Sequence, residues 1–181
     1  MNGVYWLTSY PKSGNTWMRV LIHNLLNDEP ADINDLRGTK THGGNAQLFQ
    51  DLSLLDPGLL TIEEIEDLRP AVADVSVARD PDPPFFKTHN HWRFNRRGHP
   101  VLGSAAAGAL LIVRDPRDVA VSLAHHNDME IDQVIEIMVG PERSWDNENR
   151  DTGLHLPYRQ SRWPEHLFSW IEQTVLPVHI L

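Results

Sequence analysis

The stretch Val4-Tyr5-Trp6-Leu7-Thr8-Ser9-Tyr10-Pro11-Lys12-Ser13-Gly14-Asn15-Thr16-Trp17 decides the fold of this chain. Val4 to Ser9 is short, apolar and rich in strand formers, and Pro11-Lys12-Ser13-Gly14 closes it with a turn. Thr16 to Asn27 then repeats apolar residues at helical spacing: Trp17, Leu21 and Leu25 fall on one face, with Met18, Ile22 and Leu26 beside them. Strand, glycine turn and helix in that order open a nucleotide-binding α/β fold. Backbone N–H groups at the start of a helix, with a glycine that lets the chain come close, make an anion site. Lys12 adds a point charge there, and Ser13, Asn15 and Thr16 add side-chain donors. The lysine precedes the glycine, so the loop is not the G-x-x-x-x-G-K-[ST] pattern of ATP-binding loops. A helix-capping turn with an exposed lysine is the competing reading.

Further along, Ala109 to Val113 is apolar throughout, as a central parallel strand buried on both faces would be. It runs into Arg114-Asp115-Pro116-Arg117-Asp118 and a helix from Pro116 to about His126. Asp115 is placed to cap that helix, Pro116 suits its first position, and Asp118 favours the positive end of its dipole. Arg114 offers a planar fork suited to phosphate oxygens at the carboxyl end of a strand, where ligands of open α/β sheets gather. A plain ion pair with Asp118 is its alternative. Phe85-Phe86-Lys87-Thr88-His89 reads as a short strand with polar residues at its end.

Between these pieces, Pro30 stops the first helix, and Asp32 to Gly58 reads as a long polar surface excursion, a candidate lid. Thr61 with Glu64 forms a capping box opening a short helix through Arg69, whose Glu63, Glu64, Glu66 and Asp67 read as a solvated face. Asp80 to Pro84 is a stiff linker. Further helices are predicted at Ile131 to Val139 and Pro164 to Thr174, with Trp163 and Trp170 on one face as core. A last buried strand is predicted at Val175 to Leu181. A buried strand at the end of the sequence points to residues 1–181 being the N-terminal portion of one longer domain.

Composition limits the function classes. Of the residues, 40% are hydrophobic and 23% charged, which predicts one buried core and not wholesale disorder. A net charge of −9 argues against a general nucleic-acid or acidic-membrane binder, while leaving room for a local anion site. The chain has no cysteine, so a disulfide, a thiolate metal site and a cysteine nucleophile are excluded, in keeping with the cytoplasm. The longest apolar run, Ala105 to Val113, is too short to span a bilayer. Neither His89 with His91 nor His125 with His126 has a third ligand at metal spacing, so no metal is expected.

Three motifs together resemble the sulfotransferase family. Tyr10 to Trp17 is similar to its 5′-phosphosulfate loop, and the resemblance implies that Lys12 touches the bridging oxygen between phosphate and sulfate while Trp17 flanks the adenine. Arg114 to Ser122 resembles the 3′-phosphate segment, with Arg114 and Ser122 at the two binding positions. Lys87-Thr88-His89 resembles the strand end that carries the general base, His89, with Lys87 neutralising the transferring group. A histidine suits that task because its unperturbed pKa is near neutrality. The family continues with leucine and proline where this chain has Asn90-His91-Trp92, which makes His91 an alternative base. Lys40-Thr41-His42 repeats the three letters in a glycine-rich stretch with no strand before it, and is read as a coincidence. The family's arginine-lysine-glycine element, which wraps the 3′-phosphate, is absent.

The expectation is therefore an α/β, three-layer P-loop-type fold with a central parallel sheet, incomplete at its C-terminus. The resemblance implies a sulfotransferase moving a sulfuryl group from 3′-phosphoadenosine 5′-phosphosulfate to a hydroxyl or amine of a small-molecule acceptor. Lys12, Ser13, Gly14, Asn15, Thr16, Trp17, Arg114 and Ser122 would hold the nucleotide, and His89, Lys12 and Lys87 would carry the chemistry. A small-molecule P-loop kinase and a catalytically silent nucleotide-binding module are the rivals.

Overall fold

Alternation along three short strands builds the centre of the molecule. The computed structural model describes residues 4–34, 36, 39–41, 45–79, 85–140, 143–145, 156 and 158–181. In its first half the elements are β1 (Val4–Ser9), α1 (Asn15–Leu26), β2 (Thr39–Thr41), α2 (Ala46–Ser53), a 3-10 turn (Pro57–Leu59) and α3 (Ile62–Arg79). The second half adds β3 (Phe85–Thr88), β4 (Ala106–Ile112), α4 (Pro116–Asn127), α5 (Ile131–Val139), β5 (Arg143–Trp145), β6 (Tyr158–Gln160), α6 (Trp163–Glu172) and β7 (Val178–Ile180). Five strands form one sheet in the order β2-β3-β1-β4-β7, every neighbouring pair parallel, and β5 with β6 makes a separate antiparallel ribbon. The expected α/β fold with a central parallel sheet is the one observed.

Successive side chains of a strand point to opposite faces, and the core divides accordingly. Val4 and Trp6 of β1, Phe86 of β3 and Ala109 and Leu111 of β4 pack on one face with Trp170 of α6 and Val77 of α3. On the other face Leu7, Phe85, Leu110 and Ile112 meet Met18 and Ile22 of α1. A further cluster joins Tyr10 to α4 and α5 through Val119, Leu123, Val134 and Met138. In register, Thr8 pairs with Thr88 and Ser9 with Ile112. Parallel strands bring their carboxyl ends to one edge, so Ser9, His89 and Arg114 all emerge there.

The structure adds to or corrects several local expectations. It decides which face of α1 turns inward: the row Trp17, Leu21 and Leu25 faces outward, 83%, 49% and 74% exposed, while Asn15, Ile22 and His23 are buried. The rotation of α1 is set at its first residue, where the Asn15 amide reaches back to β1. The excursion after Asp32 is not all irregular: it contains β2, which pairs with β3 so that Thr41 lies opposite Lys87, and α2. Lys40 and Thr41 thus lie on an edge strand, contrary to the reading that no strand accompanies them, while His42 and the Asp80–Pro84 linker lie outside the described residues. The predicted buried strand at Val175 to Leu181 is a shorter edge strand, with Ile180 50% exposed. The β5–β6 ribbon was not foreseen.

α3 runs ten residues past Arg69, straight through Pro70. A proline inside a helix lacks the N–H that would bond the carbonyl four residues back. Here that carbonyl belongs to Glu66, and it accepts instead from the Asn95 amide at 3.2 Å. Thr61 and Glu64 do form the predicted capping box, with Thr61 N donating to Glu64 Oε2 at 2.8 Å and Glu64 N to Thr61 Oγ1 at 3.2 Å. Glu66 and Asp67 are not solvated, because Glu66 holds Arg93 through two hydrogen bonds and Asp67 pairs with Arg96 and Arg97. These pairs fasten the segment following His89 to α3.

Candidate functional site

The turn between β1 and α1 is held open by its backbone. Ser13 N donates to the Tyr10 carbonyl at 3.2 Å, closing a tight turn. Lys12 then adopts φ 65° and Gly14 φ 107°, both left-handed. Gly14 meets that demand at no steric cost, whereas Lys12 holds it as a non-glycine residue, a strain that concentrates at functional loops. Gly14 is the N-cap of α1 and offers no side chain to its first N–H groups, which leaves them directed at the loop. Lys12 and Gly14 are half-buried, Ser13 is buried, and Thr16 and Trp17 are exposed. The Ser13 hydroxyl has no hydrogen-bond partner among the described residues. Asn15 is turned inward: its amide donates to Leu7 O at 3.0 Å and to Ser9 Oγ at 3.2 Å.

His89 follows β3 directly, next to the end of β1. Its Nδ1 lies 2.8 Å from the Ser9 carbonyl and 3.3 Å from Ser9 Oγ. A carbonyl only accepts, so Nδ1 carries the proton and Nε2 is left as an acceptor. Burial is the main force on this ring and Lys87 the second, and together they lower its pKa to about 4, against a smaller upward pull from the Ser9 carbonyl. The ring is therefore neutral at pH 7. Lys87 itself is half-buried on the α1 face, and burial followed by the nearby Arg19 lowers its pKa.

Arg114 emerges from β4 and crosses to the loop, its Nη1 donating to the Lys12 carbonyl at 3.0 Å. Its ion pair with Asp118 is long, 3.9 Å between exposed groups, and contributes little. Asp115 caps α4, its Oδ1 accepting from Arg117 N at 2.9 Å. Ser122 lies two turns into that helix, half-buried. The two phosphate motifs and the Lys87–His89 strand end are thus gathered at one edge of the sheet.

Sequence reading missed the residues that hold these groups. Ser9 looks like an ordinary strand residue, yet it anchors both His89 and Asn15. On α6, the buried His166 meets Tyr10 edge-on at 5.8 Å, and Trp170 Nε1 donates to the carbonyl of Asn90, next to His89, at 3.1 Å. Only a long-range partner gives either residue away, and one sequence carries no such signal. Trp170 is fully buried in the core as predicted, and Trp163 packs beside the α4–α5 cluster. Among the described residues there is no group of three or more potential metal ligands, and no helix is long and apolar enough to cross a membrane.

No curated protein matches the chain. Residues 4–179 match the family model of the sulfotransferase domain, nearly all of the 181 residues, and the chain belongs to that family.

Proposed function

We propose that this sulfotransferase uses 3′-phosphoadenosine 5′-phosphosulfate as donor and a hydroxyl or amine of a small molecule as acceptor. The observation that carries the reading is His89: Nδ1 donates at 2.8 Å to the carbonyl of Ser9, at the end of β1 before the loop, and Nε2 is left unprotonated. The open N-terminus of α1, the left-handed Gly14 and the cations Lys12 and Arg114 fit a doubly charged 5′ group and a 3′-phosphate.

In the proposed step, His89 Nε2 takes the acceptor proton as the acceptor oxygen bonds to sulfur. The bond from sulfur to the bridging phosphate oxygen breaks, and 3′-phosphoadenosine 5′-phosphate leaves with the electron pair. Lys12 stabilises charge on that bridging oxygen, and Lys87, kept from full hydration, faces the transferring group. Ser13 and Thr16 hold the 5′ group together with the backbone N–H of Asn15, whose side chain is turned inward to β1 and is not the donor the sequence suggested; Trp17 flanks the base, and Arg114 and Ser122 hold the 3′-phosphate. The cation supplied by magnesium in kinases comes here from lysine. A cysteine-free chain suits the cytoplasm.

Calorimetry with 3′-phosphoadenosine 5′-phosphate and with ADP, each with and without magnesium, tests the donor. The 3′-phosphorylated nucleotide should bind at least about tenfold tighter, with no need for magnesium, as charge-assisted phosphate contacts imply. Equal or tighter binding of ADP, dependent on magnesium, would overturn the reading in favour of a kinase.

A further inference from the structure

We propose that the Asn15 side chain serves the general base and not the nucleotide: acting through Ser9, it fixes the imidazole of His89. Asn15 and Ser9 are then positioning residues that join the phosphate loop to the base. The inference rests on the reading of His89 as general base. The loop motif counts Asn15 among the nucleotide donors, and no motif includes Ser9.

A continuous chain of hydrogen bonds runs from α1 to the ring. Asn15 Nδ2 donates to the Leu7 carbonyl at 3.0 Å and to Ser9 Oγ at 3.2 Å. A carbonyl only accepts, so the amide nitrogen must be the atom that faces β1, and both of its hydrogens are taken there. What remains is Oδ1, an acceptor that cannot bind a phosphate oxygen, buried with no partner among the described residues. Ser9 Oγ has two lone pairs. One receives Asn15, and the other lies 3.3 Å from His89 Nδ1. The Ser9 carbonyl takes the same Nδ1–H at 2.8 Å. Ser9 and Asn15 are both buried, where such bonds are stronger than in water.

The sheet alone does not provide this hold. The β1–β3 ladder ends at Thr8 with Thr88, one residue short of Ser9 and His89, so the ring bond stands where the next backbone pair would be. On its other side Ser9 pairs with Ile112 at the last position of the β1–β4 ladder. The Asn15 amide ties this strand end to the first turn of α1, directly after the left-handed Gly14. The consequence for the base is its tautomer. Two acceptors at Nδ1 keep the proton there and leave the Nε2 lone pair to take the acceptor proton. The ring is then a cation that keeps its Nδ1–H, and charge strengthens both of its bonds to Ser9. Without the anchor the resting proton can move to Nε2, and a ring in that form cannot act as base.

The test reads the tautomer of the neutral His89 ring by long-range 1H–15N NMR at pH 7 in the parent, Ser9→Ala, Asn15→Ala and the double variant. The parent should hold the Nδ1–H form. Each single variant should lower the ratio of Nδ1–H to Nε2–H about 2- to 10-fold, the effect of losing one ordinary hydrogen bond. The double variant should fall short of the product of the two, because both residues act through one chain. Affinity of Asn15→Ala for 3′-phosphoadenosine 5′-phosphate should stay within about threefold, since the backbone N–H remains, while kcat with 2-naphthol as probe acceptor should fall about 10-fold. An unmoved tautomer with affinity lowered about tenfold or more would return the Asn15 side chain to the nucleotide and overturn the inference. Effects that simply multiply in the double variant overturn the link between the two residues. An unmoved tautomer in Ser9→Ala overturns the inference even if Asn15→Ala does not fold. If His89→Ala keeps parental transfer, the base assignment falls instead, while the tautomer still reports whether Asn15 and Ser9 hold the ring.

Discussion

Arg114 Nη1 donates to the backbone carbonyl of Lys12 at 3.0 Å, joining two motifs that lie 102 residues apart. The bond holds Lys12 in its left-handed conformation and brings the arginine beside the phosphate loop. Charge-assisted hydrogen bonds contribute about 1.5–3 kcal/mol, so Arg114→Ala should erase the preference for 3′-phosphoadenosine 5′-phosphate over AMP, a change of roughly 10- to 100-fold. Calorimetry with both nucleotides measures it. A variant that still discriminates would place the 3′-phosphate elsewhere.

Lys12 makes its contribution where charge develops on the leaving group. Lys12→Ala should lower kcat about 100-fold or more and nucleotide affinity by much less. Single-turnover kinetics beside equilibrium binding separates the two, and parental turnover in the variant would remove Lys12 from the mechanism.

His89, His91 and His42 are the three histidines that follow or repeat the lysine-threonine pattern. His89→Ala should abolish transfer and leave nucleotide binding within about threefold, while His91→Ala and His42→Ala keep substantial turnover. Loss of activity only in His91→Ala would move the base two residues along. With His89 as base, kcat/KM of the free enzyme should lose activity as pH falls towards about 4, not near 6.5.

Two histidines, the half-buried His89 and the buried His166, also make the fold acid-sensitive. His89 and His166 titrate at about 4 and about 3 when folded, below the ordinary value of 6.5. The unfolded chain binds more protons in the interval, so their stabilisation is complete above pH 6.5 and declines as pH falls towards those values. Each contributes a slope of at most about 1.4 kcal/mol per pH unit. Urea midpoints between pH 7 and 4.5 should fall, and His166→Asn should flatten the dependence because asparagine does not titrate. An equal slope in the two proteins would refute the assignment.

Asn95 compensates for Pro70. Asn95→Ala removes the donor to Glu66 O and the acceptor of Arg97 N and His99 N, and should cost about 2–3 kcal/mol. In a Pro70→Ala background the helix supplies its own N–H to Glu66 O, and the cost should be smaller. Urea denaturation of the double-mutant cycle reads the difference, and equal costs in both backgrounds would mean the two residues are not coupled.

What the sequence determined by itself was local and periodic. β1, the glycine turn and α1 were legible because a short apolar run of strand formers, a turn and a helical repeat follow one another within a single stretch. The cap at Asp115 and the box at Thr61 and Glu64 were legible because their partners lie two and three residues away. The motif residues Lys12, Lys87, His89 and Arg114 were visible as letters, but not the distances between them. Tertiary structure decided everything with a distant partner. β2 was hidden because three polar residues become a strand only when β3 lies alongside. That the row of Trp17, Leu21 and Leu25 turns outward was not legible, because apolar spacing shows that a helix has two faces, not which one turns inward. Glu66 and Asp67 look solvated until Arg93, Arg96 and Arg97 arrive from another part of the chain. Above all, Ser9 acquires its meaning only when the parallel sheet brings it within hydrogen-bonding range of His89, and Trp170 only when α6 reaches the Asn90 carbonyl.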